Sequence, residues 1–258
     1  MIANASCGAD VRAEARSGRL VGRTSGLAPD YLQANLVILP SELADDFRRF
    51  CQLNPKPCPL LEVTEPGNWE PRHVAPGADI RTDLPSYRVY RRGVLTEEVN
   101  DITHLWTNHL VAFLLGCSLS FEAGMQRAGL PVRHVEEDCT VPMFRTNVPC
   151  SPAGPFSGPL VVSMRPFTPA QAIEAVILTS RYPLAHGAPV HLGDPDAIGI
   201  PDLMRPDFGD AVTIRTGEIP VFWARGVTPQ AVLMEAKPEF AITHSPGCMF
   251  VTDQLTEW

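Results

Sequence analysis

Proline constrains this chain more than any other residue: 26 of its 258 positions carry it, about twice ordinary usage. Each fixes φ and removes a backbone donor, so many connections are expected to be rigid turns rather than floppy linkers. The densest stretch, residues 54–86, reads as an ordered excursion rich in proline and glycine. Hydrophobic residues at 45% and charged residues at 19% give a globular balance, and this length buries a sizeable core.

Between the turns, strand and helix signals alternate. Gln33-Ala-Asn-Leu-Val-Ile-Leu-Pro40 is too short for a helix and is stopped by proline, which predicts a buried strand. A helix follows with Ser41 as its cap and Leu43, Phe47 and Phe50 on one face. From Asp101 to about Gly116, apolar residues at three-and-four spacing predict a longer helix, after which Ser120 caps a short one with Glu122 in its first turn.

Strands are expected at Val132–Glu136, Met143–Asn147, Pro159–Arg165 and Pro189–Leu192. Between the last two, Thr168-Pro-Ala-Gln171 is a capping box opening a helix whose buried face is Ile173, Val176 and Ile177. A strand at Ile219–Trp223, a helix capped by Thr228 and a strand at Phe240–Thr243 complete the pattern. The fold class this implies is α/β. Residues 1–130 and 201–258 form a main α/β domain, and residues 131–200 form an inserted, smaller, β-rich α+β subdomain.

A formal charge of -8 speaks against a nucleic-acid partner, which requires a basic surface. No basic amphipathic helix suggests a membrane partner, and the longest apolar run, Leu110 to Leu119, falls well short of the roughly twenty residues of a span. Residues 1–16 are polar and carry both charges, without the apolar middle of a signal peptide. Seven cysteines, odd in number and without a Cys-x-x-Cys spacing, read as reduced, mostly buried thiols of a cytoplasmic protein. Assembly into a homo-oligomer is compatible with all of this.

Several residues could carry chemistry. His134, His186 and His191, with Asp194 behind the last, are proton-transfer material; His186 and His191 at their spacing along a strand make a weak metal signal. Arg145 with Asn147, and Arg165, end predicted strands, where a guanidinium presents its fork to a carboxylate. The turn Gly116–Glu122 is placed to expose Cys117 and to offer backbone N–H groups to an anion. His244 sits where a strand ends. Each has a plainer reading as a structural histidine, a surface ion pair or a helix-breaking turn.

Read together, these stretches resemble the hydro-lyase family that includes D-glutamate cyclase. The resemblance rests on Gln33–Pro40, Asn54–Thr64, Asp79–Pro85, Gly116–Glu122, Val141–Asn147, Val161–Pro166, His186–Asp194, Pro206–Asp210 and Gly226–Gln230, in order across nearly the whole chain. The chain departs from the family pattern at Arg225, where a cysteine is expected, and at Cys248, where a histidine is expected.

The resemblance implies a small carboxylate-bearing substrate and a cyclisation. The amine of D-glutamate attacks its own γ-carboxyl and expels water, which requires no organic cofactor. It then implies that Arg145 or Arg165, with Asn147, clamps a carboxylate, and that His186 or His191 transfers protons, oriented by Asp194. His134 and His244 are further substrate contacts, and Glu122 and Cys117 second candidates for catalysis. Two other readings stay open. One is a metal-assisted lyase or hydrolase using His186, His191, His244 and Asp194 as ligands. The other is a non-catalytic binder of acidic amino acids, with Arg225 and Cys248 as its cue.

Overall fold

Two central strands organise the molecule. In the computed structural model, which describes residues 6–256, β1 (Tyr31–Pro40) and β5 (Leu110–Gly116) pair antiparallel from Ala34 opposite Gly116 to Pro40 opposite Leu110. Strand residues alternate between faces, and here both faces are buried. Val37, Leu39, Val111, Phe113 and Leu115 point into one core, whereas Leu36, Ile38, Leu110, Ala112 and Leu114 point into another.

The rest of this first sheet adds β2 (Leu60–Val63) beyond β5. On the other side of β1 lie β10 (Ala241–His244), β3 (Tyr87–Arg91) and β4 (Val94–Val99), while β11 (Phe250–Leu255) pairs with the first half of β1. A second antiparallel sheet runs β6 (Met143–Pro149), β7 (Pro159–Phe167), β9 (Ile219–Ala224) and β8 (His191–Leu192). The architecture is therefore mixed α/β with two antiparallel sheets.

The sheets share a core. Helix α2 (Ser41–Leu53) inserts Phe47 between Phe113 of the first sheet and Phe156, with ring centroids at 4.9 and 5.1 Å. Phe144, Val162 and Phe222 of the second sheet join the same cluster. Edge-to-face aromatic pairs like these contribute about 0.5–1.5 kcal/mol each beyond the area they bury. The opposite face of the first sheet is covered by the proline-rich excursion through Val74, Ala78, Ile80 and Leu84. Helices α3 (Leu119–Arg127) and α5 (Pro169–Thr179) cover the outer face of the second sheet.

Several sequence expectations require correction. The helix expected from Asp101 is a single helical turn at Thr103–Leu105 followed by β5, because a strand buried on both faces is continuously apolar and mimics a helical stripe. Val132–Glu136 is not a strand but contains the short helix α4 (Arg133–Glu136). The capping box at Thr168 and Gln171 forms, yet Ile173 and Ile177 are 62% and 54% exposed. Ala172, Ala175 and Thr179 face the sheet instead, since small side chains let helix and sheet approach closely.

Helix α6 (Val227–Ala236) begins after Gly226, and Thr228 is buried rather than capping. Its hydroxyl accepts from the Val161 N–H and donates to the Val161 carbonyl. Ser41 and Ser120 likewise lie inside their helices, which start after Pro40 and Ser118. The boundary expected at residue 200 does not match the hydrogen bonding, because the second sheet takes β9 from residues 219–224 and its core is shared with the first.

All seven cysteines are free, five of them buried. Among the described residues no helix is long and apolar enough to cross a membrane. Part of the polar opening segment, residues 1–5, lies outside the described residues.

Candidate active site

A buried polar cluster forms where the end of β5 and the start of α3 meet β7. Glu122, in the first turn of α3, is 6% exposed, and Arg165, on β7, is fully buried. The Nη2 of Arg165 donates to Glu122 Oε1. Its Nη1 donates to Ser163 Oγ at 3.1 Å, and its guanidinium lies 5.3 and 5.4 Å from the ring centres of Phe121 and Trp223. Packing and bonding together fix this arginine. His134 completes the group, with Nε2 3.4 Å from Glu122 Oε1.

Burial alone would raise the Glu122 carboxyl. The charge of Arg165, the bond and charge of His134 and the charge of Arg225 outweigh it and hold the group at about 2. Glu122 is therefore an anion that anchors both a guanidinium and an imidazole.

His186 enters from the turn after Pro183–Ala185. Its φ of 76° is left-handed, unusual for a residue with a Cβ, and such strain of about 1–3 kcal/mol gathers at functional positions. Its Nδ1 lies 2.7 Å from the Lys56 carbonyl, a bond that needs hydrogen on Nδ1 and so leaves Nε2 as an acceptor. Burial, with the charges of Arg225 and Arg165, lowers this imidazole to about 3, against the Lys56 bond.

The turn reaches the cluster because Gly116 has no side chain: a Cβ there would lie 1.6 Å from the Leu184 carbonyl oxygen. Asn35 on β1 braces the same corner, donating to the Leu115 and Gly116 carbonyls while its amide lies against Gly226. Arg225, partly buried between β9 and α6, donates to Ser118 Oγ.

Among the described residues, three buried side-chain nitrogens lack a hydrogen-bond partner: His134 Nδ1, Arg165 Nε and His186 Nε2. Buried polar atoms are nearly always paired, and all three exceptions lie on residues that surround Glu122 or feel the charge of Arg165.

The other expected residues lie elsewhere. Cys117 is buried, not exposed, and burial raises its thiol, partly offset by Arg225. The Ser120 and Phe121 N–H groups bond the Cys117 and Ser118 carbonyls, so the turn does not offer them to an anion. Arg145 and Asn147 are exposed on β6, with the Arg145 guanidinium 5.5 Å from the Phe208 ring centre beside a separate cavity of about 380 Å³.

His191 bonds the Asp194 backbone carbonyl at 2.6 Å, and the Asp194 carboxylate accepts from the Asp196 N–H. Asp194 therefore orients no imidazole through its carboxylate, and that pairing is made by Glu122 with His134. His244, at the end of β10, accepts from the Leu36 N–H at 3.1 Å and lies near Gln230. Burial and Arg225 lower it to about 4. Cys248 donates to the Gly22 carbonyl, away from the cluster. Among the described residues no three His, Cys, Asp or Glu side chains are grouped to hold a metal, so His186, His191, His244 and Asp194 do not form one ligand set. A cavity of about 580 Å³ is lined by Arg133, Glu136 and Glu218 and by none of Glu122, His134 or Arg165.

In the sequence Arg225 is a departure from the family pattern and the cue for a binder, and neither Asn35 nor Ser118 is among the site candidates. A signal was present: Gln33 and Asn35 are polar positions in a run otherwise destined for the core.

The two neutral imidazoles make the fold acid-sensitive. Both folded values lie below the ordinary 6.5, so the unfolded chain takes up protons that the folded chain refuses. Stability is full above pH 6.5 and is lost as pH falls toward 4 and 3. Each imidazole contributes a slope of about 1.4 kcal/mol per pH unit in that window. His186→Gln is expected to remove its share from the melting-temperature profile. An unchanged profile would mean that His186 titrates freely in the fold.

Fold and site thus define a mixed α/β protein with a buried carboxylate–imidazole–guanidinium cluster. The sequence profile of the D-glutamate cyclase family matches residues 111–253. Curated relatives named "Putative hydro-lyase" align over nearly the full chain. The one from Geobacillus kaustophilus is 61% identical, covering 96% of this chain and 94% of its own. That from Stutzerimonas stutzeri is 60% identical with the same coverage, and that from Bordetella pertussis 61% identical over 97% and 91%. This chain belongs to the D-glutamate cyclase family. A solved nitrogen repressor-like protein from Methanococcus jannaschii aligns over 92% of each chain at 8% identity, but its TM-score of 0.39 carries no argument.

Proposed function

We propose that this protein is a lyase that removes water from a small acidic amino acid, and that it cyclises D-glutamate to 5-oxo-D-proline. The observation that carries the reading is the set of three unpartnered buried nitrogens, two of them on His134 and Arg165, which meet the ionised Glu122, and the third on His186, which feels the charge of Arg165. The family membership and the relatives' names support the reaction class.

The chemistry assigns the roles. With Glu122 accepting from His134 Nε2–H, the free Nδ1 is a lone pair held in a fixed direction. It takes a proton from the substrate ammonium, since only the neutral amine is a nucleophile. The amine nitrogen then bonds to the γ-carboxyl carbon, whose C–O bond breaks. The oxygen leaves as water, carrying the two protons that the nitrogen has lost. Arg165, with Nε–H still unbonded, grips a carboxylate and stabilises charge on the tetrahedral carbon. His186 Nε2 accepts from the ammonium and holds it in attack geometry. A reduced-thiol compartment, the cytoplasm, suits the free cysteines.

The test is incubation with D- and L-glutamate, the corresponding hydroxy acids and glutamine, following loss of one water by mass. D-glutamate is expected to turn over, and His134→Asn to lower kcat by about 10²–10³-fold with little change in KM. Loss of water from no member of the panel would rule out the reading. Binding without turnover would make the chain a binder.

A further inference from the structure

Arg225 stands out in the charge pattern of the cluster. Among the described residues it has no carboxylate within 4.0 Å, and its side chain bonds only the neutral Ser118 hydroxyl. Its charge nevertheless acts on Cys117, Glu122, Arg165, His186 and His244. Its bond to Ser118, at the start of α3, brings it to the edge of the cluster. Glu122 is taken up by Arg165 and His134, so among the described residues no carboxylate pairs with Arg225. An uncompensated cation beside buried groups is costly unless an anion completes it. The unpartnered Arg165 Nε and His186 Nε2 are an independent sign of a missing ligand, on two residues that feel the charge of Arg225.

We infer that Arg225 is a specificity-determining residue: with Arg165 it makes a two-point grip that selects a dicarboxylate over the corresponding monoamide. The inference rests on the proposed site but not on the proposed reaction. Arg165 engages one carboxylate from the closed side. Arg225, reaching in from the partly exposed rim with Ser118, engages the other. An amide at that second position cannot answer the guanidinium charge and presents N–H groups to a donor.

The probe is glutarate, a five-carbon diacid that lacks an amine and cannot cyclise, compared with its monoamide. Calorimetric titration of the wild-type protein is expected to favour glutarate by at least tenfold, the scale of one charge-assisted hydrogen bond. Arg225→Met is expected to abolish that preference by weakening glutarate alone, and Arg225→Lys to restore part of it. Should the methionine variant fail to fold, Arg225→Gln, which keeps a planar polar head, makes the same comparison. Absence of a preference in the wild-type protein, or a preference that survives loss of the charge, overturns the assignment. The two proposals fail separately. Selective glutarate binding without water loss from D-glutamate removes the reaction and keeps the role of Arg225. D-glutamate turnover equal in wild type and Arg225→Met does the reverse.

Discussion

Glu122→Gln is expected to destabilise the fold by about 3–5 kcal/mol and to lower kcat by about a thousandfold or more. The stability loss follows from what remains: Arg165, fully buried between two aromatic rings, keeps its charge and loses the one anion that answers it among the described residues. An amide fills the same volume, so neither a cavity nor a clash contributes. Its neutral oxygen can take the place of Oε1, which serves both Arg165 and His134, but it brings no negative charge to either. The kinetic loss has a separate origin. Without an anion at Nε2, the His134 tautomer with a free Nδ1 is no longer favoured, and an imidazole facing the wrong way is a poor base.

In a chain of this size the stability term corresponds to a fall in Tm on the order of 10 °C. The acid limb supplies an independent readout. Glu122 sits at about 2 in the folded protein against an ordinary 4.5. A lowered carboxyl stabilises the fold above its unfolded value and loses that contribution as pH falls through its folded one. The wild-type profile should therefore drop between pH 4.5 and 2, and the glutamine variant should lack that component. A variant that melts with the wild type would show that Arg165 does not depend on Glu122.

The fold was partly legible in the sequence, and the failures share a cause. β1 was readable because Pro40 closes a run too short for a helix. β5 was not, because both of its faces are buried and its strand period of two disappears into continuous apolarity. Upstream Ile102 and Leu105 then supplied a false helical stripe, although Ile102 is buried beneath the excursion that holds Ile80 and Leu84. In α5 the pattern misled in the opposite direction, since the large residues Ile173 and Ile177 face outward and alanines make the contact. Hydropathy reports which residues are apolar. Which of them lie inward depends on how closely the partner approaches.

At the site, legibility divides by distance along the chain. The turn that carries Glu122 and Cys117, and the strand end that carries Arg165, were visible as local motifs. The partnership of Glu122 with His134 and Arg165 was not, since it joins α3, α4 and β7 through tertiary packing. His191 and Asp194 illustrate the converse. Their nearness in sequence suggested a working pair, yet it closes on itself through a backbone carbonyl. Arg225 needed a charge count that only the assembled cluster permits.

Gly116→Ala tests how closely the chemistry depends on that assembly. The glycine is not required for its backbone angle. It is required for space, because an added Cβ would lie 1.6 Å from the Leu184 carbonyl oxygen and 2.8 Å from its carbon. A backbone atom cannot rotate aside as a side chain could. Gly116 itself is held by its N–H bond to Pro59 at 2.8 Å and by its pairing with Ala34. The turn at Pro183–Ala185 must therefore yield, and it carries His186 with it. Overpacking of this kind destabilises by about 1–3 kcal/mol, and a shift of about 1 Å in a positioning group lowers turnover about a hundredfold. Both losses should appear together, with His186 no longer bonded to the Lys56 carbonyl and its imidazole titrating nearer its ordinary range. An alanine variant that keeps wild-type kcat would show that His186 contributes nothing to the reaction from where it sits.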